Sequence, residues 1–173
     1  SVTAFMFSDR TQNPHEYDKS SVIVRGELPK RALPSFDGMI GTLPALTDAA
    51  AGNGSINNIP DRDGVVRRVP LILSYNDQLY PSLGMEALRT AMGLSSFMLY
   101  AQDGLERLQM GPFSVPMDKN GMMWVYYTKR TAERYIPAWQ VMDGSMDPEK
   151  IAGHIVLIGT SAAGLKDLRA TPF

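Results

Sequence analysis

The sequence predicts one α/β domain with a mixed, mostly central β-sheet flanked by helices. Strand-like runs rich in β-branched and aromatic residues alternate along the chain with shorter segments of helical spacing. The length of 173 residues is enough for one domain with a real core and too short for two ordinary domains. A composition of 44% apolar and 20% charged residues is typical of a globular protein rather than a disordered one.

The first predicted element is a strand over residues 2–7, V-T-A-F-M-F, most of which are β-branched or aromatic. Residues 8–38 are polar and contain several prolines and glycines, so we predict an irregular excursion with one short strand near residues 21–25. A short helix is predicted over residues 43–51, because Pro44 stands near its start and a glycine lies just past its end.

A second helix is predicted over residues 82–92. Ser82 can cap its first turn and Gly93 follows its end, which is the usual punctuation of a helix. Apolar residues recurring at helical spacing predict one apolar face. The residues of this face are Leu83, Ala87, Leu88 and Ala91.

The second half of the chain is predicted to consist of strands and short helices. Turn signals D-G and D-K-N-G separate the first strands, and Pro148 suits the first turn of the last helix. The predicted strands are 97–100, 105–110, 122–127 and a buried strand at 154–159, and the predicted helices are 137–142 and 147–151.

The strongest local pattern is P-D-R-D-G at residues 60–64, which stands between two strand-like runs. Aspartate side chains accept hydrogen bonds from nearby backbone N–H groups, and Gly64 can take a positive φ. We therefore predict a β-hairpin or a tight strand–turn–strand at this point.

The charged residues of this turn have two interpretations. Asp61 and Asp63 resemble the opening of a calcium loop, but Val65 stands where a third ligand belongs and no acid follows at the required distance. An irregular cation site stays open as an alternative. The favoured interpretation is that both carboxylates cap the turn, while Arg67 and Arg68 point to opposite faces of the strand, so that one arginine pairs with a turn aspartate.

A glycine-bounded loop follows the last predicted strand, in the run I-V-L-I-G-T-S-A-A-G-L-K at residues 155–166. Such loops can direct backbone N–H groups at an anion. A phosphate-binding loop needs Lys directly after its second glycine, whereas Leu165 follows Gly164 here, and a dinucleotide fingerprint needs a third glycine. The favoured role of Gly159 and Gly164 is therefore close packing between strand and loop.

Ser161 lies in G-T-S-A-A, which is close to the nucleophile elbow G-x-S-x-G. In that fold the catalytic histidine follows the serine, but no histidine follows Ser161, and His154 lies on the preceding predicted strand. The favoured role of Ser161 is a hydroxyl that caps the next turn. A small hydrolase that uses Ser161 is kept as an alternative.

Composition excludes several classes of chemistry. The chain has no cysteine, which excludes thiolate zinc sites, thiol catalysis and disulfides. Two histidines, His15 and His154, offer little to a metal site or a proton relay, so we predict neither metal nor cofactor. A net charge of −1 argues against nucleic acid as a partner. The aromatic side chains are therefore expected to pack in the core and its rim rather than to stack on bases; among them are Trp124, Tyr126, Tyr127 and Trp139.

Two long segments carry a family resemblance. They are I-N-N-I-P-D-R-D-G-V-V-R-R-V-P-L at residues 56–71 and G-H-I-V-L-I-G-T-S-A-A-G-L-K-D-L-R-A-T-P at residues 153–172, with P-S-L-G-M-E-A-L-R at residues 81–89 between them. Together they resemble the second type of CHASE domain, an extracellular sensory module associated with cyclases and histidine kinases. The resemblance extends in order over residues 1–173.

The resemblance implies a non-enzymatic, extracytoplasmic ligand-sensing domain of a bacterial membrane receptor, with an adenylate or guanylate cyclase or a histidine kinase as output. It implies a membrane-anchored parent chain, a homodimer, and a small-molecule or protein signal as partner. It also implies a partial, truncated domain that lacks the family's N-terminal α/β portion. A structural dimerisation module is the other alternative. Our candidate ligand-binding residues are Asp61, Asp63, Arg67, Arg68, Ser161, Gly164 and Asp167.

Overall fold

The computed structural model describes residues 1–12, 17, 19–29, 31–129, 131–160 and 170–172. It confirms the predicted α/β class, and the strands within these residues form four small sheets. The strands are β1 (Val2–Ser8), β2 (Ser21–Gly26), β3 (Ser35–Phe36), β4 (Gly38–Ile40), β5 (Gly52–Ser55), β6 (Arg68–Pro70), β7 (Ile72–Tyr75), β8 (Gln78–Pro81), β9 (Ser96–Ala101), β10 (Arg107–Met110), β11 (Phe113–Pro116) and β12 (Met122–Trp124). The helices are α1 (Pro44–Ala49), α2 (Leu83–Ala91) and α3 (Ala138–Met142), with single 3₁₀ turns at Ala132–Arg134 and Pro148–Lys150.

The N-terminal sheet has the order β4-β1-β5 and confirms the strand predicted at residues 2–7. Strand β1 runs parallel to β5 and antiparallel to β4. Alternate side chains of a strand face opposite sides, and Phe5 and Phe7 both face a buried aromatic cluster. Their ring centroids are 5.2 Å apart in an edge-to-face arrangement. The other members of this cluster are Tyr17, Met39, Leu73 and Tyr80.

The main hydrophobic core lies on the sheet β11-β10-β9-β2. Strand β2 is parallel to β9, and β9, β10 and β11 are successive antiparallel neighbours. Phe97, Leu99 and Ala101 alternate along β9 and are fully buried, and Leu108 of β10 packs with them. The strands predicted near 21–25, 97–100 and 105–110 are thus confirmed, the last beginning two residues later than expected.

Helix α2 covers the other face of the N-terminal sheet. Its first turn lies so close to β5 that a Cβ on Gly54 would be 2.5 Å from the Cα of Leu83. The helix is confirmed, but the face that it buries was not predicted: Met85, Glu86 and Arg89 are buried, whereas Leu88 is 43% exposed. The charged pair tolerates burial because Glu86 and Arg89 hydrogen-bond to each other.

The remaining predicted helices form in shortened versions. Helix α1 begins at Pro44, α3 lies within the predicted 137–142, and the predicted helix at 147–151 is a single 3₁₀ turn that begins at Pro148. Ser82 occupies the N-cap position of α2 without a side-chain hydrogen bond. Among the described residues, no helix has the length and apolar character needed to cross a membrane.

Residues 125–160, called the arm here, leave the core after β12. No described residue of the arm is buried. The expectation that the aromatic residues pack in the core is wrong here, since Tyr126 is 92% and Trp139 60% exposed, as is Trp124 at 67% just before the arm. The predicted strand at 122–127 accordingly ends at Trp124.

The buried strand predicted at residues 154–159 is also wrong. These residues have no regular secondary structure, and the exposed fraction rises from 49% at Ile155 to 97% at Ile158. A strand needs a neighbour to take its backbone hydrogen bonds, and in the described part of the chain no strand lies beside this run. Four consecutive apolar residues are compatible with a buried strand, but they do not determine whether a neighbouring strand is present to pair with it.

Candidate functional site

The charged turn, residues 61–68, connects the end of the β5 region to β6. The N–H of Gly64 donates to the carbonyl of Asp61 at 2.9 Å, and the N–H of Asp61 donates to the carbonyl of Val65 at 3.0 Å. Gly64 has a φ of 81°, in the left-handed region that glycine adopts readily in turns. The predicted turn is confirmed, but a paired hairpin is not, because β5 pairs with β1 and β6 pairs with β12.

Arg67 binds both aspartates of the turn. Its Nη1 and Nη2 donate to the two carboxylate oxygens of Asp63 at 3.0 and 2.8 Å, and Nη1 also donates to Asp61 at 3.1 Å. Hydrogen bonding from Arg67, with a smaller contribution from the N–H of Val65, lowers the pKa of Asp63 to about 2. The same contacts raise the pKa of Arg67. These groups are therefore charged at every physiological pH.

Arg68 joins the turn to a second loop. Its Nη2 donates to Asp61 at 2.6 Å and its Nη1 donates to Asp118 at 2.8 Å. Hydrogen bonds from Arg68 and then Arg67 lower the pKa of Asp61. The expected pairing of an arginine with a turn aspartate is therefore confirmed, and the second arginine pairs as well, because the carboxylate of Asp61 lies between the two guanidinium groups.

Asp118 is a member of this site that the sequence did not reveal. Its Oδ1 accepts from the N–H groups of Asn120 and Met122 at 2.8 and 3.0 Å, while its Oδ2 binds Arg68. The D-K-N-G turn was visible in the sequence as turn chemistry, but the pairing with Arg68 spans 50 residues and leaves no local signal. Such a contact becomes visible only when β6 and β12 are known to pair.

The charged turn holds the base of the arm. The N–H of Val125, the first arm residue, donates to the carbonyl of Arg67 at 3.0 Å. On the far side of the arm, Ala170 pairs with Val65 and accepts from the N–H of Val66 at 2.8 Å. The guanidinium of Arg68 lies 5.4 Å from the ring centroid of Trp124. The turn therefore contacts the chain both where the arm leaves the core and beyond its end.

A groove of about 410 Å³ opens beside the charged turn. It is lined by the loop that begins at Arg31 and by the turn residues Asp61, Arg62 and Arg68. Apolar side chains line the remainder, among them Leu33, Ile59 and Met122. Its size is within the range of small-molecule sites, roughly 300–1,000 Å³.

Comparison with known proteins decides the family. The protein-family model of the CHASE2 domain matches residues 5–173, almost the whole chain. The chain belongs to the CHASE2 domain family. CHASE2 is a family of extracellular sensory domains of signalling receptors, and its members are sensory rather than catalytic modules. No curated protein and no solved structure matches the chain.

The structure of this CHASE2 domain brings together one of the two predicted groups of candidate residues. Asp61, Asp63, Arg67 and Arg68 form a single network of hydrogen bonds. The other predicted group lies outside the described residues; it consists of Ser161, Gly164 and Asp167. The hydrolase alternative, which placed its nucleophile at Ser161, is not supported by membership of a sensory family.

The cation alternative for the turn of this CHASE2 domain is disfavoured by its geometry. Both oxygens of Asp61 and both oxygens of Asp63 accept hydrogen bonds from arginine, so a cation would have to displace a guanidinium group. No group of three potential metal ligands occurs among the residues that the structure covers. The chemistry that this arrangement offers is ion pairing, which suits a contact that holds two loops together or a site that binds an anion.

Proposed function

We propose that this CHASE2 domain is the extracytoplasmic ligand-sensing domain of a bacterial transmembrane receptor, with an adenylate or guanylate cyclase or a histidine kinase as output. The observation that carries the proposal is the family match over residues 5–173. The signal is a small molecule or a protein. The receptor chain that carries the domain is anchored in the membrane.

The charged turn provides a physical route from ligand to output. It contacts the core, the groove and the base of the arm, so a ligand that favours one arrangement of these ion pairs also shifts the arm. A ligand changes an equilibrium only by its difference in affinity for the two arrangements. Coupling free energies of about 1–3 kcal/mol, or 5–150-fold, are usual for such transitions.

The test of the proposal measures output in membranes of cells that express the complete gene product. We expect membrane-bound nucleotide cyclase or protein kinase activity. We also expect that activity to change when the order of residues 61–68 is scrambled. The control is a variant in which residues 102–104, which follow β9 and do not line the groove, are scrambled instead.

The outcomes of this test are separable. A gene product found free in the cytosol, or one without either output, contradicts the sensory proposal. An unchanged output in a scrambled variant that still folds contradicts a signalling role for the charged turn alone.

We further propose that the receptor is a homodimer, because cyclase and kinase outputs need paired subunits. The arm offers a surface for this contact, since Leu157 is 75% and Ile158 is 97% exposed. Exposed apolar patches of this kind mark interaction sites. Leu157→Asp should weaken self-association in sedimentation equilibrium, whereas Leu43→Asp, at an apolar residue 63% exposed outside the arm, should not. Equal association of both variants contradicts a dimer contact through the arm.

A further inference from the structure

We propose that the groove beside the charged turn is a binding site for a small organic anion. Arg31 and Arg62 hold the oxyanion head, and the apolar wall accepts the body of the ligand. The inference deepens the proposed sensory function and rests on it only in taking this anion as the signal. Binding itself is a property of the chain that can be measured separately.

The charge of the groove favours an anion. Three arginines line it, Arg31, Arg62 and Arg68, against a single acidic residue, Asp61. Arg68 is paired with Asp61 and with Asp118. The uncompensated positive charge at the groove therefore comes from Arg31 and Arg62, although the chain as a whole has a net charge of −1.

Two of these arginines have no side-chain partner among the described residues. Arg67 and Arg68 are engaged in the turn, but Arg31 and Arg62 take part in no ion pair or side-chain hydrogen bond within the described structure. A guanidinium group presents a planar fork of N–H donors that matches a carboxylate or phosphate in a bidentate manner. Two such forks that line one groove are suited to bind one oxyanion.

The backbone at Arg31 supports a role in the groove. Its φ is 61°, in the left-handed region that side chains with a Cβ rarely adopt. Residues held in such conformations concentrate at functional sites, where surrounding structure keeps them in place. The neighbouring Leu33 is 6% exposed and anchors the loop in the main core. The loop therefore holds Arg31 at the rim of the groove.

The apolar wall defines the rest of the ligand. Leu33, Ile59 and Met122 line the groove together with Pro34 and Pro60. An inorganic anion would leave this wall exposed to water, whereas an organic body would bury it, at about 25 cal/mol per Å² of apolar surface. The ligand class is therefore a carboxylate or phosphate monoester carried on a compact apolar group.

Arg68 connects this groove to the arm. It lines the groove, binds Asp61 and Asp118, and lies over the ring of Trp124. An anion in the groove offers Arg68 a competing acceptor and so weakens its hold on the two aspartates. The environment of Trp124 then changes, which makes its fluorescence a reporter of occupancy.

The experiment titrates the chain carrying Trp139→Phe, so that Trp124 is its only tryptophan. The probes are benzoate and phenyl phosphate, which share a body and differ in the head, inorganic phosphate as a head alone, and benzyl alcohol as a body without charge. We expect one of the two aromatic anions to bind with a Kd below about 1 mM and to shift the fluorescence of Trp124. The better of the two identifies the head that the site prefers.

Three substitutions assign the site. Arg31→Gln and Arg62→Gln should each raise the Kd by about tenfold, as expected for the loss of one charged hydrogen-bonding group. The matched control is Arg25→Gln, because Arg25 is an exposed arginine of β2 that does not line the groove. Calorimetric titration of the same variants measures binding independently of fluorescence, and circular dichroism checks that each remains folded.

Three results would overturn the anion site. The first is an affinity for benzyl alcohol equal to that for both anions. The second is no binding of any probe up to about 10 mM. The third is an unchanged affinity when Arg31 and Arg62 are both replaced by Gln. None of them affects the receptor test above: membrane-bound output that still depends on residues 61–68 would leave the sensory function standing and remove only this ligand site.

Discussion

Asp63 has a low pKa although it lies on the surface of the charged turn. Its side chain is 54% exposed. The partial desolvation of the carboxyl raises its pKa and so opposes the hydrogen bonds that lower it. Two hydrogen bonds from the guanidinium of Arg67 and one from the N–H of Val65 outweigh it and lower the pKa from 3.8 to about 2. The turn is therefore held by a bidentate ion pair between Arg67 and Asp63, a geometry that is uncommon for exposed ion pairs.

The titration of Asp63 is the first prediction. A carboxyl whose pKa is lower in the folded than in the unfolded state stabilises the fold above the unfolded value, and this contribution disappears as the pH falls through the folded value. The contribution of Asp63 should therefore be intact above pH 3.8 and lost as the pH falls to about 2. An NMR titration of the carboxyl carbon should give that value, and Arg67→Gln should return it towards 3.8. The same value in both proteins would show that Arg67 is not the cause.

The contact between β5 and α2 gives a prediction at the scale of elements. Gly54→Ala should destabilise the fold by about 1–3 kcal/mol, because the added Cβ overlaps the backbone of Leu83 and the helix must shift. The matched control is Gly84→Ala within α2, where nothing lies within 4 Å of the new Cβ. It should be neutral or stabilising by up to about 1 kcal/mol. Urea unfolding measures both, and equal effects would contradict the close approach.

The buried ion pair of α2, Glu86 with Arg89, gives a second prediction about an element. Glu86 is fully buried and accepts from Arg89 at 2.8 and 2.7 Å, while Arg89 also donates to the carbonyls of Ala51 and Leu94. Glu86→Gln should cost about 3 kcal/mol, because it leaves the Arg89 charge buried without its counter-ion. Replacing both residues, as Glu86→Leu with Arg89→Met, should cost less than Glu86→Gln alone. A loss below about 1 kcal/mol for Glu86→Gln in urea unfolding would mean that the pair is solvated in solution.

Local sequence patterns predicted many of the helices, strands and turns, but not which strands pair or which distant side chains meet. The turn at Gly64, the start of α1 at Pro44 and the strand β9 depend on residues close in the chain, and each forms where it was expected. The ion pair of Arg68 with Asp118 depends on the pairing of β6 with β12, and no local pattern contains that information. The buried face of α2 was predicted wrongly for a related reason. The helix buries Glu86 and Arg89, and these side chains satisfy each other only once the helix has formed.

At the scale of the whole molecule, the core and the arm differ in how they are held. The core has two buried clusters, whereas none of the described residues 124–160 is buried. The apolar run at 155–158 shows why periodicity alone could not predict this difference. Four successive apolar residues predict burial on both faces, but whether those faces are covered depends on residues distant in the chain, and here the described residues leave them exposed.

Limited proteolysis tests this division. Segments with few buried contacts open locally at low free energy and are cleaved first. Trypsin should cut first after the exposed residues Lys129, Arg134 or Lys150 of the arm. Arg107, which lies within β10 and stacks 3.9 Å from the ring centroid of Tyr100, should resist. First cleavage after Arg107 would contradict the division into a packed core and an unpacked arm.

Arg68→Gln should hasten cleavage of the arm without changing the order of the cuts, because it removes the link from Asp61 to Asp118 at the base. The control is Arg25→Gln, which leaves that link intact. Equal rates of arm cleavage in the two variants, followed by gel electrophoresis, would mean that the charged turn does not restrain the arm.

The narrow attachment of the arm has a mechanical consequence. Its departing end at Val125 and the returning chain at Ala170 both rest on the few residues between Val65 and Arg67. The same short stretch of backbone therefore holds the chain at two points that are 45 residues apart in the sequence. A change in the backbone of residues 65–67 reaches Val125 and Ala170 together.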